Sequence, residues 1–135
     1  PRGDVARGRN RETLRMRCAL AAIVVAASLI TPAAAETLRL ASSYAVAGTN
    51  GDGSTYSGTL SVQVISDTTY TVRWSIGGST YTGFGMRMND TLSATYTMDG
   101  KPGLVMYQVQ DGGVLRGIWA VRGQNGSGTE TLTPK

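Results

Sequence analysis

The clearest alternation of apolar and polar positions lies between Thr69 and Gly85. Tyr70, Val72, Trp74 and Ile76 alternate with Thr71, Arg73 and Ser75. A period of two puts successive side chains on opposite faces of a β-strand, so the stretch reads as a half-buried strand. Gly77-Gly78 follows, a pair that accepts the positive φ angles of a two-residue hairpin turn. Ser79–Gly85 then returns with Tyr81 and Gly83 on one face. The pattern predicts one hairpin, and the chain after Glu36 reads as further hairpins added to it.

The same alternation predicts the other strands. Tyr44–Ala47 starts the sheet, and a Gly-, Asn- and Asp-rich loop follows at Gly48–Ser54. Thr55–Ile65 places Tyr56, Gly58, Leu60, Val62 and Val64 on one face. Gly85–Met88 leads into an Asn89-Asp90 turn, and Thr91–Met98 aligns Leu92, Ala94, Tyr96 and Met98. Asp99–Gly103 is expected as an open turn. Leu104–Gln110 aligns Val105, Tyr107 and Val109, and Val114–Val121 aligns Leu115, Gly117 and Trp119. Gly123–Ser127 is the last loop, and Gly128–Thr133 closes the sheet with Glu130 and Leu132 on one face. The count is about eight short strands with no helical periodicity after Ile30. The expected fold is all-β, a single antiparallel meander that hides its edges as a closed or nearly closed up-and-down barrel. An echo supports it: Tyr56-Ser57-Gly58, Tyr81-Thr82-Gly83 and Leu115-Arg116-Gly117 each set a large residue and a Gly on one face. In a small barrel, bare glycine backbone lets a neighbouring ring lie against the wall and lets the strand coil.

Composition changes the picture mainly at the N-terminus. Of 13 basic and 9 acidic residues, six and two precede Glu36, which leaves seven against seven from Glu36 onward. The +4 charge therefore belongs to the leader, and a nucleic-acid surface has no net-charge support. Met16-Arg17, the apolar run Cys18–Ile30, the Thr31-Pro32 break and Ala33-Ala34-Ala35 form a signal-peptide pattern with cleavage before Glu36. The apolar run is short for a membrane span. The expected organisation is upstream translated sequence over residues 1–15, a signal peptide over 16–35, and one barrel domain over 36–135. The product is expected in the periplasm or outside the cell, with no stable membrane span after cleavage.

The chain has no histidine, and its one cysteine lies in the leader. Beyond the leader, Ser-His-Asp and Cys-His catalysis are therefore excluded, as are zinc and copper sites built on His or thiolate. Most carboxylates fall in turns, where Asp accepts backbone N–H bonds. No facing pair suggests a glycosidase. Asn50-Gly51-Asp52-Gly53-Ser54 opens like a calcium loop, but Thr55 stands where that loop needs Gly and Ser61 where it needs Glu. No catalytic residue, metal site or cofactor is predicted, and the protein is not expected to be an enzyme. Glu130, placed inward, needs a partner, either an Arg or a ring of hydroxyl and backbone donors. Tyr44, Tyr56, Tyr70, Trp74, Tyr81, Tyr96, Tyr107 and Trp119 all fall on the inward face. They either fill the barrel or line a pocket for a small apolar or planar ligand, and eight strands leave little more than side-chain room. The candidate ligand residues are Tyr56, Trp74, Tyr81, Tyr96, Tyr107, Trp119 and Glu130. Phe84 and Ile118 fall outward.

Several short texts carry a family resemblance: Tyr44-Ala45-Val46-Ala47-Gly48-Thr49-Asn50, Tyr70-Thr71-Val72-Arg73-Trp74-Ser75-Ile76-Gly77, Tyr81-Thr82-Gly83-Phe84-Gly85, Gly117-Ile118-Trp119 and Gly128-Thr129-Glu130. Over Tyr44–Pro134 the chain resembles a group of small exported bacterial β-proteins, some of them labelled fibronectin-binding. No fibronectin-binding peptide repeat is visible here. The hairpin style is also similar to avidin-type and lipocalin-type barrels, without the ordered polar and Trp positions of a biotin site. With a filled interior, the expected function is a non-enzymatic interaction or adhesion module with a protein or envelope partner. The alternative is a carrier for a small apolar or planar ligand.

Overall fold

The computed structural model describes residues 39–135. The expected signal peptide, its expected cleavage point and the segment before Met16 lie outside the described residues. Eight strands follow in chain order: β1 (Ser43–Thr49), β2 (Thr55–Val64), β3 (Thr69–Ile76), β4 (Ser79–Met88), β5 (Thr91–Met98), β6 (Lys101–Val109), β7 (Leu115–Val121) and β8 (Gly128–Pro134). Each pairs antiparallel with the next, and β8 returns to pair with β1, closing the barrel. Every strand then has two neighbours, so no row of backbone donors and acceptors is left open. The protein is an all-β closed meander, as the alternation predicts. Among the described residues, the one departure from strand and turn is a short 3₁₀ turn at Asp111–Gly113.

Turn chemistry sets the register. In the β3–β4 hairpin, Ile76 pairs with Ser79 across Gly77 and Gly78, whose φ angles are 57° and 80°. Both positive values match the right-handed twist of the flanking strands. The β5–β6 connection uses the same device and corrects one expectation. Met98 pairs with Lys101 across Asp99 (φ 50°) and Gly100 (φ 73°), so the open turn expected over Asp99–Gly103 is a two-residue hairpin. Pro102 argues against a strand because it lacks a donor. It sits at the second position of β6, after Asp99-Gly100 has already reversed the chain.

The inward set is the one read from the alternation, with one exception. Tyr44, Val46, Leu60, Tyr70, Val72, Trp74, Leu92, Ala94, Val105, Tyr107, Leu115 and Leu132 form a single buried cluster. Val64 was expected inward but is 58% exposed. The β1–β2 pairing stops at Ser43↔Ser61, so the end of β2 runs past its neighbour and leaves Val64 outside the barrel wall. Leu40 and Ala41 pack on the core at that end. There the Tyr44 hydroxyl accepts the Ala41 N–H at 2.9 Å, and the Tyr70 hydroxyl donates to the Ser93 carbonyl at 2.7 Å.

Rings and glycines are matched across strands rather than within them. Tyr56 lies over Gly48, Tyr70 over Gly85, Tyr96 over Gly103, Tyr107 over Gly117 and Trp119 over Gly128, each the directly paired residue on a neighbouring strand. A Cβ at any of these glycines would run into the ring. The aromatic side chains therefore lie along the wall instead of crossing the lumen.

Three substitutions test this packing. Gly117→Ala pushes a methyl into the Tyr107 ring and the Met106 carbonyl, and urea denaturation should show a loss of about 1–3 kcal/mol. Gly51→Ala, whose Cβ meets nothing closer than 3.5 Å, should stay within about 0.5 kcal/mol of wild type. Trp74→Ala, at a core position only 4% exposed, should cost about 3–5 kcal/mol. A loss under about 1 kcal/mol would refute the inward assignment of Trp74.

Candidate functional site: a carboxylate beneath an aromatic mouth

Glu130 enters the barrel because its period-two neighbours Gly128 and Leu132 are both buried on the inner face of β8. Its own register places it opposite Gly48 on β1 and Gly117 on β7. Those two bare positions leave a gap on each side of the carboxylate, and a tyrosine from one strand further away crosses each gap. Tyr56 on β2 lies over Gly48 and donates its hydroxyl to Glu130 Oε1 at 3.1 Å. Tyr107 on β6 lies over Gly117 and donates to Glu130 Oε2 through a short hydrogen bond. Trp74 on β3 reaches from across the barrel, its Nε1 donating to Oε2 at 3.3 Å. Of the two partner types expected for Glu130, the structure has the ring of donors, supplied by side chains.

Burial dominates the electrostatics. Glu130 is only 5% exposed. Its carboxyl is held above the ordinary value of 4.5, mainly by burial, while the bonds from Tyr107, Tyr56 and Trp74 pull it back down. A buried anion is costly unless donors compensate it, and here three neutral ones do. The tyrosines respond in kind. Burial, and then the Glu130 charge, push Tyr107 and Tyr56 well above the ordinary phenol value. Tyr96 is pushed up to about 12 by the same two causes. All three hold their protons at neutral pH, so Tyr56 and Tyr107 stay donors.

Above Glu130 the lumen opens into a cavity of about 270 Å³, lined by Tyr56, Trp74, Tyr81, Tyr96, Trp119 and Glu130. Rings brace one another edge to face. Tyr56 and Trp119 have centroids 6.3 Å apart at 65°, and Trp74 and Tyr96 are 5.5 Å apart at 61°. Six of the seven candidate residues thus meet in one mouth. Tyr107 is the exception: it sits behind the carboxylate and supports it rather than lining the cavity. Asn50, Ile76, Met98 and Val105 also line the mouth and were not singled out from the sequence. Ile76 and Met98 carried a signal, because both end a strand on the inward face at the edge of the lumen. The expectation of a filled interior is corrected at this end, since rings flattened over glycines leave the centre open.

Two neighbouring features have simpler accounts. The loop before β2 satisfies itself: Asp52 accepts the Ser54 N–H at 2.9 Å and its hydroxyl at 2.6 Å, bonds that lower the Asp52 carboxyl. Trp119 Nε1 is buried and makes no hydrogen bond, although its approach to the Tyr56 oxygen offsets part of the rise there. On the outside, Phe84 and Met86 of β4, Leu104 and Met106 of β6, and Ile118 of β7 are exposed. The pairings Met86↔Ser93, Ser93↔Met106 and Met106↔Ile118 put three of them in one row across the wall.

The raised carboxyl has a consequence for stability. Between 4.5 and its higher folded value, the folded protein keeps a Glu130 proton that the unfolded chain releases. Stability contributed by this group is therefore full below 4.5 and declines as pH rises through that window. Chemical denaturation from pH 4 upward should show the decline in wild type. Glu130→Gln, which does not titrate, should remove it. Equal pH slopes for the two proteins would contradict the burial account.

No protein-family model matches this chain, and no curated protein sequence matches it. Solved structures do. A redesigned beta barrel is 23% identical with a TM-score of 0.58, covering 71% of this chain and 91% of its own. A de novo designed fluorescence-activating beta barrel is 16% identical with a TM-score of 0.56, covering 71% and 94%. A third, the redesigned barrel mFAP1 bound to DFHBI, is 24% identical with a TM-score of 0.56, covering 70% and 94%. At these identities the likeness is one of fold.

Proposed function

We propose that this barrel binds a small, planar, largely apolar molecule in its mouth. The observation that carries the reading is the open cavity of about 270 Å³ walled by five aromatic side chains, with one carboxylate at its floor. Apolar pockets with a few placed polar groups are the usual form of small-molecule sites. Flat rings on the wall offer stacking and edge contacts to a planar guest. A redesigned barrel of the same fold is bound to DFHBI, which supports a small-molecule site in a barrel of this size. The arrangement supplies surface and one acceptor, and its work is binding rather than bond making.

The test uses the neutral planar probe N-phenyl-1-naphthylamine. Its addition should quench Trp74 and Trp119 emission saturably, at one site per barrel. Met98→Trp, which places a second ring system at the lining of the mouth, should weaken binding about tenfold or more at unchanged stability. Absence of saturable quenching by the folded protein would overturn the reading.

A second reading keeps the barrel as an interaction or adhesion module. It is favoured by the exposed row formed by Met86, Met106 and Ile118, flanked by Phe84 and Leu104, since contiguous apolar patches often mark partner surfaces. It predicts capture of a protein or envelope partner that survives Met98→Trp and is lost with Met106→Lys.

A further inference from the structure

We infer that the mouth selects a small aromatic cation over neutral and anionic molecules of the same shape, its ring held among Trp74, Tyr96 and Trp119 and its charged nitrogen at the Glu130 carboxylate. This inference rests on the ligand-binding reading above and adds the charge of the ligand.

Three observations point the same way. First, every partner of Glu130 is a neutral donor, from Tyr107, Tyr56 and Trp74. Among the described residues, no lysine or arginine lines the cavity. The carboxylate is thus buried with hydrogen bonds but without a counter-charge, and a cationic guest would supply one. Second, the walls are aromatic rings. The negative face of an indole or phenol attracts a cation, and a ring of such faces is how aromatic cages hold alkylammonium groups. Tyr56, Trp74, Tyr81, Tyr96 and Trp119 provide five around one opening. Third, no residue lining the mouth carries a positive charge that would favour an anion. The lining donors of Tyr56 and Trp74 are already spent on Glu130. Trp119 Nε1 is buried. In the loops and strand ends at this end, Asp52 and Asp99 offset Lys101 and Arg122.

A matched series isolates the charge. 1-Naphthylmethylammonium, 1-naphthylmethanol and 1-naphthoate share one ring system and carry positive, zero and negative charge. By titration calorimetry at neutral pH, the ammonium should bind about tenfold or more tightly than the alcohol. The carboxylate should bind weakest. In Glu130→Gln the advantage of the ammonium over the alcohol should vanish. Should that variant fail to fold, wild type gives the same comparison by pH. The titratable groups facing Glu130 are Tyr56 on β2, Tyr96 on β5 and Tyr107 on β6, and Tyr81 on β4 lines the same mouth. Lowering the pH to protonate Glu130 should then erode ammonium binding and leave alcohol binding flat. Equal affinity for ammonium and alcohol, or a preference for the naphthoate, would overturn the charge inference while leaving a ligand site. Failure of all three to bind would overturn both readings.

Discussion

A carboxylate flanked by two glycines is the constraint around which this barrel is arranged. Glu130 sits in register between Gly48 and Gly117. Without side chains at those positions, Tyr56 and Tyr107 reach over the intervening strands and place their hydroxyls on it. Trp74 completes the set from the far wall. Four strands, β2, β3, β6 and β8, of which only β2 and β3 are neighbours, are thereby tied together through one side chain. A backbone ladder joins only neighbours, so this network adds a restraint across the lumen that closure alone does not supply. A methyl at either glycine, or loss of one hydroxyl, strains several contacts at once.

The same pairing of ring and glycine explains why the barrel has two different ends. At the end reached by Leu40 and Ala41, Tyr44, Tyr70, Leu115 and Leu132 interlock and the tyrosine hydroxyls bond to backbone. At the other end Tyr96 and Trp119 are drawn onto the wall by Gly103 and Gly128. Their area stays against backbone, and the centre is left for a guest. Core and mouth therefore use one side-chain alphabet, and the placement of glycines decides which residues pack and which line.

The fold was legible because period-two patterning is strong in every strand and each turn carries Gly, Asn or Asp. The facing of Tyr70, Val72 and Trp74 follows from alternation alone. Errors fell at strand ends. Val64 keeps the inward parity yet lies past the end of β1 pairing, and Pro102 disguised a strand as a turn. Membership of the site was legible in part. Glu130 and the inward aromatics were visible as residues on the right face. Which of them touch could not be read, because that depends on the stagger of strands around the barrel, a quantity no single strand encodes. Tyr107 illustrates the gap. It faces inward as Tyr96 does on the preceding strand, yet Tyr96 lines the mouth and Tyr107 lies beneath its floor. The hollow mouth stood only as the alternative for a related reason: counting rings suggests a full interior, whereas their placement over glycines leaves the centre open.

The most direct measurement of the central claim is the pH titration of the Glu130 side-chain carboxyl by carbon NMR in wild type and Tyr107→Phe. The account predicts a wild-type midpoint above the ordinary 4.5, because burial outweighs the three donors. It predicts a further rise in Tyr107→Phe, which keeps the ring over Gly117 and removes one donor that favours the ionised form. A midpoint at or below the ordinary value, unmoved by loss of the Tyr107 hydroxyl, would contradict it.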